Sequence, residues 1–556
     1  MKLHLNITKI VILPIIGKKD DEKWKKKAII QRIHYLLCGT VKRFKMMSFT
    51  NPAILFVVPA FFVLVSIVLS PFERKVPFIK KLIVFVPLVV SVVNLVAICI
   101  IGGKVLSGNV VVGSIGGFQA SYLPIFVIDK FSFFIALIVS ALGCAASLYN
   151  IFSSDLGYMA ALGGFSQKIS QEKFHILFTL LILGTTWVAI AGDLLGMFIS
   201  FEIVLLSLAM LVSISKNNGS IKLGFRSVIL IIATGVLMLL SIILLYIKAG
   251  SFNMAQVGLG LNEASNLWKL FPYLLIFFVI SMIAAIFPLN RWLPNLHFNL
   301  SFGVSAFVSG IVTTTAIYMI IRLTVTVFNN SEFAPYMFVL ALLTLLLGNI
   351  FAFYEADLRG LLAYSTIGEM GLILLTFSAG SELSIAASLA QIINHSISKA
   401  VLFLVAGIMA ESSGSSKISS LRGFGREYGI PSMIFVFAAA SLIGVPPFLG
   451  LFTKFSLLES LLSLKPLLSY PAFAIVILFW VIEGVYFYKI FKALFSKSDL
   501  EFKPLNRLLL IAPAVLVSLL ILLSIKSMNV LNFTYDAATQ LIERAIYFTS
   551  VLGAIK

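Results

Sequence analysis

Residues 383–410 read LSIAASLAQIINHSISKAVLFLVAGIMA. The segment is long enough to cross the ~30 Å hydrocarbon core of a bilayer as one helix. Its titratable side chains are His395 and Lys399. Spaced i and i+4, they share one helix face. A charge at bilayer depth costs at least about 2.5–3.5 kcal/mol on insertion scales, so it needs a reason. Burial disfavours the charged form of a lysine, and histidine exchanges protons near neutral pH. A lone core histidine is usually structural, but this pair in so apolar a segment reads as a proton relay.

The same pattern extends along the chain. Of 556 residues, 60% are hydrophobic and 12% charged, where a soluble domain is nearer about 45–50% and about 25%. The excess falls in fourteen blocks near 52–72, 81–103, 131–153, 174–191, 194–215, 223–247, 271–290, 301–323, 334–354, 360–380, 383–410, 430–453, 470–495 and 506–525. Backbone polar groups in lipid must be satisfied within the segment, so the blocks predict helices. The fold class is therefore an all-α polytopic membrane protein of about fourteen transmembrane helices. The short alternating strands of a membrane barrel are absent from the pattern.

Three cysteines, Cys38, Cys99 and Cys144, are too scattered for a disulfide framework, an iron–sulfur site or a zinc site. The Gly258–Gly260 pair lacks the rest of a dinucleotide fingerprint and reads as a loop. With no nucleotide loop and no nucleophile elbow, neither a cofactor nor a metal is expected, and any electron transfer belongs to another subunit. The net charge of +19 reads as loop charge that orients helices and meets anionic headgroups, not as a nucleic-acid surface.

Loops after odd-numbered blocks are basic: Arg74, Lys75, Lys80 and Lys81 follow the first, and Lys417, Arg422 and Arg426 follow the eleventh. The positive-inside rule puts these loops in the cytoplasm and both termini outside. Residues 1–45 form a basic tail, with Lys18, Lys19, Lys23 and Lys25 among others, and it contradicts that orientation. A start near Met46 or Met47, or a basic interfacial tail, reconciles the two.

Two blocks carry breakers: Phe287-Pro288 with Trp292-Leu293-Pro294, and Gly444-Val445-Pro446-Pro447 with Gly450. Either alone is an ordinary proline kink. Two of them, five helices apart, point to repeats and an ion path. Four more membrane-depth charges stand near them. Glu202 lies well inside the fifth block. Lys454 follows the second break, where a snorkelling helix end and a switchable buried charge are both open readings. Glu369 and Glu483 are acids that counter either Lys399 or Lys454; the sequence leaves the pairing open.

At these residues the chain resembles the antiporter-like subunits of respiratory complex I, membrane-bound hydrogenases and multisubunit sodium/proton antiporters, from about Gly116 to about Lys492. Gly116-Gly117-Phe118 with Phe126-Val-Ile-Asp-Lys-Phe-Ser132 is similar to the family's opening Gly-Gly-Trp and Asp-x-Leu-Ser. Phe201-Glu202 is similar to its Trp-Glu, and Phe287-Pro288 through Leu296-His297 to its Phe-Pro-x-His-x-Trp-Leu-Pro-Asp-x-His. Asp357-Leu-Arg-Gly-Leu-Leu-Ala-Tyr-Ser365 is similar to its Asp-Leu-Lys-Arg-Leu-Leu-Ala-Tyr-Ser. Asn394-His395 to Lys399-Ala-Val-Leu-Phe-Leu404 and Gly444-Val-Pro-Pro through Lys454 complete six motifs in order.

The resemblance implies two inverted five-helix repeats with broken helices seven and twelve. The boundaries it gives are a tail over 1–45, helices one to three over 46–172, a first repeat (helices four to eight) over 173–323, a second (nine to thirteen) over 334–495, and helix fourteen with a C-terminal tail over 496–556. It implies a proton- or sodium/proton-translocating subunit in a prokaryotic inner membrane, of a redox-driven pump (an NADH-quinone oxidoreductase or hydrogenase-type complex) or of an antiporter, with other membrane subunits, protons, Na+ and lipid as partners. The departure is in the first repeat. Ile283 stands where the family keeps a lysine, Asn290, Asn295 and Asn299 replace a histidine, an aspartate and a glutamate, and Thr314 replaces a basic residue. Glu202 loses its partner, and Arg226 aligns with a family lysine that compensates in part. The expected path is Glu202, Arg226, Glu369, His395, Lys399, Lys454 and Glu483, mainly through the second repeat. The alternative is a structural subunit whose conduction has decayed.

Overall fold

The computed structural model describes residues 50–70, 77–114, 125–153, 171–214, 218–329, 333–462 and 464–555. The basic tail and the Gly116-Gly117-Phe118 motif lie outside them. The membrane helices run α1 (Ile54–Leu69), α2 (Pro77–Leu106), α3 (Lys130–Phe152), α4 (Gln171–Ile190), α5 (Leu194–Ser213) and α6 (Asn218–Ala249). After a short α7 (Met254–Gly260) come α8 (Asn266–Ile283), α9 (Trp292–Asn299), α10 (Phe302–Phe328), α11 (Ala334–Tyr354), α12 (Leu358–Phe377) and α13 (Glu382–Ser413). The chain ends with α14 (Gly429–Ile443), α15 (Leu449–Leu462), α16 (Pro466–Phe495), α17 (Ile511–Ile525), α18 (Ser527–Ile542) and α19 (Arg544–Ile555).

Among the described residues, twelve helices are long and apolar enough to cross a membrane. Two shorter apolar helices, α1 and α14, occupy the remaining two apolar blocks. Two elements depart from the sequence reading. A small antiparallel hairpin, β1 (Val111–Ser114) with β2 (Ile125–Ile128), interrupts the all-helical pattern. The Gly258–Gly260 pair, read as a loop, closes the last turn of α7. Asn253 explains this: its carboxamide accepts the Ala255 and Gln256 amides and starts a helix the glycines only terminate.

Both breaks fall where proline predicts them, and the two share one backbone pattern. Ala285 and Gly444 adopt positive φ. The next residue's amide, of Ile286 or Val445, reaches back to the carbonyl of Ser281 or Ala440 at 2.9 Å in each case. This is the terminal bonding that satisfies orphan carbonyls at a helix end. A second pair of junctions also matches. Asp193 caps α5 and bridges to Asn253; Asp357 caps α12 and bridges to Lys417. The flanking bonds correspond one to one: Leu194 N to Phe252 O and Leu358 N to Ser416 O, both 2.9 Å.

Candidate functional site

The centre of the molecule is α13. Its span is buried throughout, and Gln391, His395 and Lys399 lie four residues apart along one face, all fully enclosed. α12 packs against it with Ser365 and Glu369, also one turn apart, and α15 and α16 add Lys454 and Glu483. The break before α15 is what lets Lys454 enter. Asn394 braces that break, donating to the Ser441 carbonyl at 3.2 Å and accepting from the Ser441 hydroxyl at 2.7 Å.

Lys454 is buried, so it does not snorkel. Its ammonium lies 2.5 Å from Glu483 Oε2 and 3.7 Å from Glu369 Oε1. The question the sequence left open is thus answered geometrically: both acids face Lys454, and Lys399 has no ion pair among the described residues. Lys399 instead donates to Ser365 Oγ and to the Leu362 carbonyl, the latter at 3.2 Å. Gln391 joins the two helices by donating to Glu369 Oε2 at 2.7 Å and accepting from Thr453 at 2.6 Å. His395 Nδ1 lies 4.0 Å from Glu369 Oε2, and its Nε2 lies 3.2 Å from the Ser309 carbonyl.

Glu369 and Glu483 share the Lys454 ammonium in an enclosed site. A cavity lined in part by Asn349, Glu369, Lys454, Trp480 and Glu483 adjoins the cluster, with about 20 Å³ open to the centres of water-sized molecules. One water needs about 10–15 Å³ on that measure. Lys399 donates to Ser365, which lies one turn from Glu369 on α12.

The first half is different. Glu202 is only half-buried, lies against Gly235 of α6, and has a carboxylate oxygen without a hydrogen-bond partner among the described residues. The Arg226 side chain lies outside the described residues, so that pairing is not placed. Ile283, Ala284, Ala285 and Ile286 pack as apolar core, and Thr314 spends its hydroxyl on the Gly310 and Ile311 carbonyls of its own helix.

Four contributors were missed at the sequence level. Gln391 and Thr453 are neutral and carry no charge signal. Arg359 is buried, donates to the His297 and Leu300 carbonyls at 3.1 Å each, and stacks on Phe302 with its guanidinium 3.7 Å from the ring centre. It closes the C-terminal end of α9 against α12. His297 is fully enclosed, stacked on Phe403 at 4.6 Å, one turn beyond Lys399 on α13. A charge inside an aligned motif was the signal available for both.

Residues 191–479 match the family model described as NADH:quinone oxidoreductase/Mrp antiporter, transmembrane. The chain is 25% identical over 458 residues to the Na(+)/H(+) antiporter D subunit of Alkalihalophilus pseudofirmus, covering 81% of this chain and 90% of that protein. It is 28% identical over 335 residues to the NADH-quinone oxidoreductase N subunit of Desulforudis audaxviator, covering 59% and 66%. Among solved structures it is similar in fold to a chain of an archaeal membrane-bound sulfane sulfur reductase, with TM-score 0.80 and 21% identity over 90% of this chain and 99% of that one. A chain of the Mrp complex from a Dietzia species gives TM-score 0.78 and 22% identity over the same shares.

Proposed function

Because this chain belongs to the NADH:quinone oxidoreductase/Mrp antiporter transmembrane family, we propose that it translocates protons, or exchanges Na+ for protons, through its second half as one membrane subunit of a larger complex. It is a multi-pass membrane protein with twelve candidate spans among the described residues. The observation that carries the reading is the buried Glu369–Lys454–Glu483 cluster, tied through Gln391 to the His395 and Lys399 face of α13. A decayed, purely structural subunit has no use for charges that are costly to bury.

The matched Asp193/Asn253 and Asp357/Lys417 junctions, and the matched breaks at Ala285 and Gly444, support two five-helix repeats of opposite orientation. In that reading only the second repeat keeps a full set of exchangeable groups. Glu202 then serves at a boundary with a neighbouring subunit or opposite Arg226. Relatives named as subunits of antiporters and of a quinone oxidoreductase support a multisubunit setting. Proton uptake into vesicles holding the purified native complex, with and without Na+, tests the reading. Lys454→Met assembles and loses most of the uptake; full uptake by an assembled Lys454→Met complex removes the cluster from the path.

A further inference from the structure

Outside this cluster, a second set of buried polar groups lies where α2, α3 and α4 meet. Glu172 and His175, in the first two turns of α4, are buried, and Glu172 pairs with Lys80 of α2 at 3.8 Å. His175 Nδ1, Ser147 Oγ of α3 and both amide atoms of Asn94 on α2 have no hydrogen-bond partner among the described residues. All three residues are buried, Asn94 completely. Each such atom forfeits about 1–3 kcal/mol unless water satisfies it.

Their depths follow from one close approach. A Cβ placed on Gly143 of α3 would stand 2.7 Å from Ser91 Oγ of α2 and 3.7 Å from Ile182 of α4, so these three positions share a level. With about 1.5 Å of rise per residue, Asn94 lies ~4.5 Å to one side of that level, and Ser147, His175 and Glu172 lie ~6, ~10 and ~15 Å to the other. His175 and Ile182, seven residues apart, share a face of α4. Successive polar groups are thus separated in depth by no more than ~6 Å apart from Ser147 to Asn94, where Ser91, whose hydroxyl donates to the Pro87 carbonyl at 2.8 Å, offers its oxygen only as an acceptor, and one or two bridging waters at about 2.8 Å per hydrogen bond span each step. Pro87 of α2 adds to the line, because a proline inside a helix leaves the carbonyl four residues earlier without its helical donor.

We propose that α2, α3 and α4 enclose a water-filled polar column, leading from the Lys80–Glu172 pair past His175 and Ser147 to Asn94 at mid-depth, and that it admits protons to the first half of the chain as an entry in series with the second-half path. This site is separate from the second-half cluster and uses none of its residues. It places exchangeable groups in the half whose broken helix carries none. His175 is the acceptor along it, with Glu172 collecting protons at the end where α2 and α4 begin, beside the basic Lys80 and Lys81.

Cysteine accessibility tests the column without reference to transport. In the full-length complex, with Cys38, Cys99 and Cys144 replaced by serine, Asn94→Cys and Ser147→Cys are exposed to a small water-soluble thiol reagent in sealed vesicles. Ile242→Cys, enclosed on α6, is the dry control. A wet column gives labelling at least tenfold faster at Asn94→Cys and Ser147→Cys than at Ile242→Cys; rates equal to the control overturn it. Proton admission is read separately. Glu172→Gln and His175→Leu lower proton uptake at least threefold, and His175→Asn, which keeps the polarity without the titration, does so even where His175→Leu fails to assemble. Normal uptake by assembled His175→Asn overturns the proton role, whatever becomes of the second-half reading.

Discussion

The ammonium of Lys454 on α15 sits 2.5 Å from the Glu483 carboxylate on α16. Glu369 on α12 lies 3.7 Å from the same ammonium, so Lys454 bridges α12 and α16. A bridged ammonium holds after losing one acid and fails after losing both. Orphaning a buried charge costs about 3–5 kcal/mol. Glu369→Gln and Glu483→Gln should each lower the thermal midpoint modestly, and the double variant by more than their sum. Strictly additive losses contradict the shared bridge.

Asp129 and Arg322 form a buried pair with two contacts of 2.6 Å. Burial raises the Asp129 carboxyl, but the adjacent Arg322 guanidinium and the Ser132 amide outweigh it and hold the group below the usual carboxylate range. Arg322 also lies over the Phe131 and Tyr547 rings, which ties α3, α10 and α19 together. Arg322→Met is expected to destabilise by about 3–5 kcal/mol, and adding Asp129→Asn to recover part of that. Thermal unfolding of the two variants decides it; no recovery in the double variant contradicts a pairwise lock.

Ala285 holds φ +54° where its counterpart Gly444 has +89°. A left-handed non-glycine residue costs about 1–2 kcal/mol. Ala285→Gly relieves this, offset by the greater freedom glycine brings to the unfolded chain. A net gain of about 0.5–1 kcal/mol in unfolding stability is expected, with transport unchanged. An unchanged or lower thermal midpoint contradicts the strain.

Much of this architecture was legible because bilayer solvation writes itself in long apolar runs. The breaks at Pro288 and Pro446 and the buried charges at His395, Lys399 and Lys454 stand out against such runs. Glu369 and Glu483 stood out as well, but not which lysine they face, since they reach Lys454 from helices whose packing no local pattern encodes. The pairing of Asp129 with Arg322 was invisible for the same reason, the two being far apart in the chain. The hairpin at 111–114 and 125–128 is too short for a period-two signal, and α18 and α19 fell within a stretch read simply as a tail.

The two proposed repeats, unlike in their charges, give a comparison within one molecule. Glu202 has no charged partner among the described residues, while Lys399 lies on the fully buried α13 facing Ser365. On the proposed reading, Glu202→Gln removes a charge at a subunit boundary or opposite Arg226, and Lys399→Ala removes a link of the relay. Proton uptake by the two assembled complexes, measured side by side in the same vesicles, tests the second-half path most directly. Lys399→Ala should retain under a tenth of wild-type uptake and Glu202→Gln at least half. Normal uptake by assembled Lys399→Ala, or a larger loss from Glu202→Gln, contradicts a path centred on the second half.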